Sequence, residues 1–270
     1  MSRSDDSRQK EIKLTAQNRL GAGNWLVPYV TCAEPAYRMV CFPHAGGSAS
    51  YYPWLRDAVP PEGELFCVQY PGRQERRREA AIEDFSLMVA ALTEVLDSGS
   101  DVPLVLYGHS LGSLLAFETV RGLEARSVPV PGLIVSGRRA PSVGPPRGAN
   151  PAADDRTVIS IMRRLGGIDP ALLDDPDVLE LILPALRADF RLASTYVPEP
   201  GAVVSAPITV LNGNADTQVS PVDAEAWGRH TTSNCVTYQV EGGHFFFDTD
   251  RPTVIKLIRT TLEGLFPRLR

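Results

Sequence analysis

The chain has 270 residues, of which 43% are hydrophobic and 22% are charged, and its formal net charge is −5. This length and composition fit a globular protein with one large α/β domain, or such a domain with an inserted segment. The negative charge argues against nucleic acid as the main partner, and no apolar run approaches the roughly 20 residues that span a membrane. The polar start of the chain does not have the pattern of a secretory signal, so we expect a cytoplasmic protein.

Apolar runs and amphipathic stretches alternate along most of the chain. Residues 1–24 are charged and then glycine-bearing, without periodicity, and predict a flexible tail. The patterns that follow predict strands at 38–42, 65–70, 132–137, 208–211 and 236–240, and helices at 82–97 and 252–265. Short apolar strands that alternate with helices predict an α/β fold, with a mostly parallel central sheet and helices on both faces. Ligands of such sheets bind at the carboxyl ends of the strands.

One segment departs from this alternation. A proline- and glycine-rich connector at 141–151 is followed by a stretch with only helical patterns. We predict a helical lid at 150–200, inserted into a core made of residues 25–149 and 201–270. Pro184 is expected to begin a new helix there, because proline suits a first turn better than a helix interior. The alternative is that these are ordinary crossover helices of the sheet.

One motif turns the chain sharply. Residues 108–112 read GHSLG, a G-x-S-x-G match, after an apolar run that begins at Pro103 and before helical periodicity that reaches Ala125. Strand, turn and helix around this motif are typical of a nucleophile elbow, which exposes the serine hydroxyl. The two glycines suit a turn that brings neighbouring backbone too close for side chains. The motif therefore predicts Ser110 as a nucleophile.

A serine nucleophile needs a base, and the base needs a group that orients it. In an α/β hydrolase these residues follow the chain order serine, acid, histidine. Asp216 comes after the strand at 208–211, and His244 follows the last predicted strand in the sequence GGHFFF. Both positions are at strand ends, so we predict Ser110, Asp216 and His244 as catalytic residues. His230 is expected at a solvent-exposed helix end.

The tetrahedral intermediate of such an enzyme needs backbone N–H donors for its negative oxygen. One donor is expected from Leu111, directly after the nucleophile, and the other from the loop after the strand at 38–42. That loop reads HAGG at 44–47, and Ala45 is its expected donor. His44 is an alternative base, but the hydrolase chain order places the base near the C-terminus and favours His244.

Six short stretches make the chain resemble the type II thioesterases of polyketide synthases and nonribosomal peptide synthetases. They are CFPHAGGS at 41–48, QYPGR at 69–73, GHSLG at 108–112, SGRRAP at 136–141, LRADF at 186–190 and GGHFF at 242–246. The resemblance covers nearly the whole chain, from about residue 38 to about residue 265. Taken together, these stretches are far more specific than the elbow motif alone, which indicates only a hydrolase.

The resemblance implies an α/β-hydrolase fold with an inserted helical lid. It implies hydrolysis of acyl groups held as thioesters on the phosphopantetheine arm of an acyl or peptidyl carrier protein. Carried over by position, Ser110 is the nucleophile, His244 the base and Asp216 the acid, with Ala45 and Leu111 as the oxyanion hole. The reaction needs neither a metal nor a bound cofactor, and we expect a monomer without nucleic-acid or membrane partners.

Two features leave alternatives open. We predict that four apolar side chains line an acyl pocket: Met162, Leu165, Phe190 and Phe245. The alternative is that such side chains only pack the lid against the body. The run RQERRR at 73–78 either meets an acidic carrier protein or forms a solvated surface of mixed charge. At the level of function, the alternatives are a serine esterase or acyltransferase of the same fold that acts on small acyl esters, and a non-catalytic binding module.

Overall fold

The computed structural model describes residues 23–97, 101–144 and 154–267. The strands in these ranges are β1 (Leu26–Val30), β2 (Tyr37–Phe42), β3 (Gly63–Val68), β4 (Leu104–His109), β5 (Gly132–Ser136), β6 (Ile208–Gly213) and β7 (Cys235–Val240). They form one sheet in the order β1-β3-β2-β4-β5-β6-β7. β1 is antiparallel to β3, and all other neighbouring strands are parallel. The predicted mostly parallel sheet is therefore confirmed.

The centre of this sheet is buried on both faces. Every residue of β2, β3, β4 and β5 is buried. Alternate side chains point to opposite faces, so Val40 and Phe42 pack into one apolar cluster while Met39 and Cys41 pack into another. A parallel sheet with two apolar faces needs helices on both sides to exclude water.

Helices cover both faces. The α-helices of the described residues are α1 (Phe85–Leu96), α2 (Leu111–Ala125), α3 (Asp155–Leu165), α4 (Pro170–Asp174), α5 (Pro176–Thr195), α6 (Pro221–Glu225), α7 (Phe246–Thr249) and α8 (Arg251–Leu265). α1 and α2 pack on one face and α8 on the other. The helix predicted at 82–97 begins later than expected because the Asp84 carboxylate caps it, accepting a 2.8 Å hydrogen bond from Leu87 N–H.

Among the described residues between β5 and β6, helices α3, α4 and α5 follow one another without a strand. We call residues 154–195 the helical insert. Pro184 lies inside α5, so the helix boundary predicted there is wrong. The missing proline N–H removes one helical hydrogen bond, and the turn after it is held by burial of Ala185 and Leu186. Four buried apolar residues of the helical insert form a small separate cluster, Val158, Met162, Leu173 and Leu186, whereas Leu192 packs into the large cluster beside α1 and α2.

The other predicted strands and the last helix are confirmed to within a few residues. β1 is not predicted, because it has only five residues, contains Pro28 and lies at the sheet edge, where proline is tolerated. Most of the predicted tail (residues 1–22) and most of the predicted connector (residues 145–151) lie outside the described residues. No helix in the described ranges is long and apolar enough to cross a membrane.

Candidate active site

Ser110 lies at the turn between β4 and α2. Its backbone dihedral angles are φ 54° and ψ −115°, a conformation that non-glycine residues rarely adopt. A Cβ atom on Gly108 would lie 2.2 Å from the carbonyl oxygen of Gly112, and a Cβ on Gly112 would lie 2.0 Å from that of Phe42. The two glycines of the motif are therefore required by close backbone contacts, as the sequence predicts.

The three side chains predicted to be catalytic form one hydrogen-bonded chain. His244 Nε2 lies 3.0 Å from Ser110 Oγ, and His244 Nδ1 lies 2.8 Å from Asp216 Oδ2. The other carboxylate oxygen of Asp216 accepts a 2.8 Å hydrogen bond from Gln218 N–H. The Asp216 side chain is fully buried, and His244 is nearly so. A carboxylate at Nδ1 selects the tautomer in which Nε2 can accept the serine proton.

Within residues 44–47 of the loop after β2, the amide of Ala45 differs from the other three. Three of its amides donate to protein acceptors: His44 to the Tyr52 hydroxyl (3.3 Å), Gly46 to Asp189 Oδ2 (2.7 Å) and Gly47 to the His44 carbonyl (2.9 Å). The Ala45 N–H donates to no acceptor among the described residues. Leu111 begins α2, where an N–H has no acceptor within the helix. Both residues border the same cavity as Ser110.

That cavity has a volume of about 180 Å³ and lies between the carboxyl ends of the strands and the helical insert. All four residues predicted to line an acyl pocket border it, three from the helical insert and Phe245 from the loop after β7. Arg138 and Arg139, which follow β5, also line the cavity, although the sequence analysis does not predict them as site residues. Their position after a strand, within the SGRRAP stretch, is the signal that identifies them.

Two buried histidines, His44 and His109, lie near the hydrogen-bonded side chains of Ser110, His244 and Asp216 but hydrogen-bond to other residues. His44 Nδ1 lies 2.7 Å from the Tyr52 hydroxyl, and burial, followed by the nearby His244, lowers the pKa of His44 to about 3. Burial also lowers the pKa of His109, whose Nδ1 lies 2.9 Å from Ser136 Oγ. Both rings are therefore neutral near pH 7.

Two expectations about polar residues are wrong. His230 is not solvent-exposed: it is buried, with Nδ1 2.8 Å from the Ala202 carbonyl and Nε2 2.9 Å from Ser142 Oγ. The arginines of the 73–78 run do not all face solvent. Arg73 and Arg76 are buried, and Arg76 stacks 4.1 Å from the centre of the Trp25 ring. Within the run, Arg77 and Arg78 are the arginines that remain exposed.

No group of histidine, cysteine, aspartate or glutamate side chains in the described ranges has the arrangement of a metal site. All four cysteines are free thiols, with Cys41 and Cys67 buried and the other two partly exposed.

The mostly parallel sheet, the elbow after β4 and the polar side chains at the ends of β6 and β7 define an α/β hydrolase. The family model of the thioesterase domain matches residues 37–262. The chain belongs to this thioesterase family and is an enzyme that hydrolyses thioesters.

Three similar proteins place the chain more closely. It is 41% identical over 231 residues to thioesterase PikA5 of Streptomyces venezuelae, with 84% of this chain and 81% of that protein covered. It is 39% identical over 225 residues to a probable cadicidin biosynthesis thioesterase of Streptomyces griseus, with 83% and 62% covered. Among solved structures, the type II thioesterase BorB from the borrelidin biosynthetic cluster superimposes with a TM-score of 0.81 at 35% identity, with 90% of this chain and 98% of that chain covered.

Proposed function

We propose that this chain is a type II thioesterase that removes acyl groups from the phosphopantetheine thiol of carrier proteins in polyketide or nonribosomal peptide biosynthesis. The observation that carries the proposal is the hydrogen-bonded chain from Ser110 through His244 to Asp216 at the floor of a cavity. Similarity to PikA5 and to the type II thioesterase BorB supports the assignment to this class.

In the proposed mechanism, His244 Nε2 takes the proton of the Ser110 hydroxyl as the serine oxygen attacks the thioester carbonyl carbon. The carbonyl oxygen becomes negative and accepts hydrogen bonds from the N–H groups of Ala45 and Leu111. The C–S bond then breaks, and His244 returns the proton to the leaving sulfur, which departs as the phosphopantetheine thiol. Asp216 stays ionised and stabilises the protonated imidazole.

The acyl-enzyme is then hydrolysed by the same groups. His244 takes a proton from water, whose oxygen attacks the acyl carbon of the Ser110 ester. The second tetrahedral oxygen occupies the same oxyanion hole, and His244 gives its proton to Ser110 Oγ as the carboxylic acid leaves. Every atom of the second step comes from water and the acyl-enzyme, so no cofactor takes part.

The helical insert is proposed to be the lid of this site. Its side chains Met162, Leu165 and Phe190 form the wall of the cavity above the strand ends, and Phe245 extends that wall from the body. We propose that the acyl chain binds against these four side chains. The free thiols fit the cytoplasmic location that we propose, and we propose a monomer, which size-exclusion chromatography with light scattering tests.

The proposal is tested with acetyl- and propionyl-carrier proteins from both kinds of assembly line, weighed intact by mass spectrometry. The folded wild-type protein is expected to remove the acyl mass, and Ser110→Ala to reduce the rate by roughly 10⁴-fold or more while still binding the acyl-carrier. Retention of the acyl mass with folded wild-type enzyme on every carrier overturns the proposal.

Two further measurements decide between the alternatives. Faster turnover of p-nitrophenyl esters than of acyl-carrier thioesters favours a small-ester esterase. Failure of a fluorophosphonate probe to label wild-type Ser110, under conditions in which a control serine hydrolase is labelled, favours a non-catalytic binding module.

A further inference from the structure

The carboxylate of Asp189 joins three separate segments of the chain. Asp189 lies on α5 of the helical insert and is only 1% exposed. Its Oδ2 accepts hydrogen bonds from Gly46 N–H (2.7 Å) and from Arg73 Nη1 (2.8 Å), and its Oδ1 accepts one from Arg73 Nη2 (2.9 Å). Arg73 Nη1 also donates to the Gly47 carbonyl at 3.0 Å. One buried ion pair therefore contacts the loop after β2 at two points.

The same helix contacts this loop through a second side chain. Gly46 has φ +77°, and a Cβ atom there would lie 2.6 Å from Leu186 Cδ1. Leu186 and Asp189 are three residues apart, so they lie on the same face of α5. The helical insert thus packs directly on the peptide that follows Ala45, with an apolar contact and a charged hydrogen bond side by side.

Contacts on both sides of Ala45 hold the backbone that carries its amide. On one side of Ala45, Tyr52 holds His44 through its backbone N–H and its ring. On the other side, Asp189 holds the Ala45–Gly46 peptide unit through Gly46 N–H. The peptide unit of Ala45 N–H lies between these two and is held through the His44 carbonyl, which accepts a 2.9 Å hydrogen bond from Gly47 N–H, while Arg73 of the ion pair binds the Gly47 carbonyl. An oxyanion hole depends on donors oriented before the reaction begins, because reorientation would cost energy in the transition state.

We propose that Asp189 is a positioning residue of the oxyanion hole. It orients Ala45 N–H through Gly46 and makes that orientation depend on the seating of α5 against the body. The inference rests on the proposed oxyanion role of Ala45. It assigns Asp189 no contact with substrate. Its consequence is that displacement of the helical insert disorganises the oxyanion hole, so a site without its covering helix is weakly active.

The competing explanation is that Arg73 and Asp189 only stabilise the fold. Buried ion pairs are weak contributors to stability, since removing two charges from water offsets much of their attraction. The chain provides a matched comparison: Arg38 and Glu64 form an equally buried pair on β2 and β3, with Nε and Nη2 donating to Oε2 at 2.9 and 2.7 Å. Among the described residues, neither side chain of that pair hydrogen-bonds to the loop after β2, which Asp189 and Arg73 both contact.

The test compares Asp189→Asn with Glu64→Gln, each of which removes one negative charge from a buried arginine pair. Both variants are expected to lower the melting temperature. Only Asp189→Asn is expected to lower kcat, by roughly 10- to 100-fold with little change in KM, because a displaced oxyanion donor costs less than the 10²- to 10³-fold of a deleted one. Glu64→Gln is expected to keep kcat within about twofold of wild type.

A transition-state analogue gives a readout that a purely structural role does not change. An alkylboronic acid forms a tetrahedral adduct with the serine and places an oxygen in the oxyanion hole. Its inhibition constant is expected to rise in Asp189→Asn by the same factor as kcat/KM falls, and to stay constant in Glu64→Gln. Equal kcat losses in the two variants, or an unchanged inhibition constant in Asp189→Asn, overturn the inference.

If Asp189→Asn does not fold, Arg73→Lys decides. It keeps the positive charge but loses the two-pronged grip on the carboxylate and the bond from Arg73 Nη1 to the Gly47 carbonyl, so the Asp189 carboxylate is expected to shift away from Gly46 N–H. A kcat loss of roughly threefold to tenfold with unchanged KM supports the inference, and a wild-type kcat overturns it.

If wild type is inactive on acyl-carriers, the proposed function fails, and p-nitrophenyl acetate serves as the substrate for the same comparison of variants.

Discussion

The body of the molecule and its helical insert hold the site in different ways. The three side chains of the hydrogen-bonded chain come from loops after β4, β6 and β7, of which β4 is buried over its full length, β6 is mostly buried and β7 lies at the sheet edge. The helical insert has its own small apolar cluster, separate from the two large clusters of the body. We infer that the body fixes the reacting atoms, whereas the helical insert shapes the space for the acyl group.

The links between these two regions differ in strength. Arg191 of α5 pairs with Glu83 at the surface, where both side chains are about half exposed, and such pairs contribute little. Tyr196, just after the helical insert, donates a 2.7 Å hydrogen bond to Glu118 of α2. The pair of Arg73 and Asp189 is a buried link of opposite charges, and it reaches the oxyanion loop. The hydrogen bond from Gly46 N–H to Asp189 therefore connects the oxyanion loop of the body to the helical insert.

After Ser110→Ala, the largest effect is expected in the body, from Asp216→Asn. Asparagine keeps the shape of the carboxylate but no longer selects the imidazole tautomer that accepts the serine proton. We expect kcat to fall by about 10³- to 10⁴-fold, with KM nearly unchanged. Acyl release from the carrier, followed by mass spectrometry, measures it.

The matched control for this change is Asp223→Asn, close by on α6. Asp223 belongs to the capping box of that helix with Ser220 and does not border the cavity. Its kcat is expected to stay within a few-fold of wild type. If both substitutions reduce kcat equally, Asp216 is not the orienting acid.

A smaller effect is expected at His44, where the loop of the body meets the helical insert. Its pKa is about 3 in the folded protein, because of burial and then the nearby His244, against an ordinary value of about 6.5 in the unfolded chain. Between these values the unfolded state binds the extra proton, so His44 makes stability fall as the pH falls. The slope is about 1.4 kcal/mol per pH unit.

His44→Asn removes this proton linkage while keeping a polar atom near the Tyr52 hydroxyl. We expect the variant to be less stable than wild type at pH 7, and the difference in unfolding free energy to shrink by about 2 kcal/mol between pH 6.5 and pH 5. Urea unfolding at several pH values measures it. His109 is present in both proteins, so its own linkage cancels. Parallel stability profiles would contradict a buried, neutral His44.

What the sequence predicts correctly is largely local. The elbow around Ser110 is recognisable because strand, glycines and helix lie within a few consecutive residues. The positions of Asp216 and His244 after their strands follow from the same alternation, and the geometry brings both to Ser110. Their catalytic roles remain predictions.

What the sequence does not predict depends on tertiary contacts. Arg73 and Asp189 are separated by 116 residues, and no local pattern indicates that they pair. His230 looks like a surface residue because its neighbours in sequence are polar, yet the fold buries it beside Trp227 and Phe117. β1 is held by its pairing with β3 rather than by a periodic pattern of its own.

The smallest effect is expected in the helical insert, from Phe190→Ala. Phe190 lines the cavity from α5, so its truncation enlarges the space for the acyl chain without touching the reacting atoms. A hydrophobic pocket discriminates between chain lengths by about 1–3 kcal/mol per methylene. We expect the ratio of kcat/KM for hexanoyl- over acetyl-carrier to rise by roughly tenfold.

Leu181→Ala is the matched control on the same helix, because Leu181 is 63% exposed and does not border the cavity. It is expected to leave the hexanoyl-to-acetyl ratio unchanged. A uniform fall of both rates in Phe190→Ala would mean that Phe190 only holds α5 on the body. A changed ratio with an unchanged kcat for acetyl-carrier would mean that the helical insert determines the chain-length preference and the body carries out the chemistry. Asp189 is the exception, because it lies on the helical insert and is proposed to position the oxyanion hole.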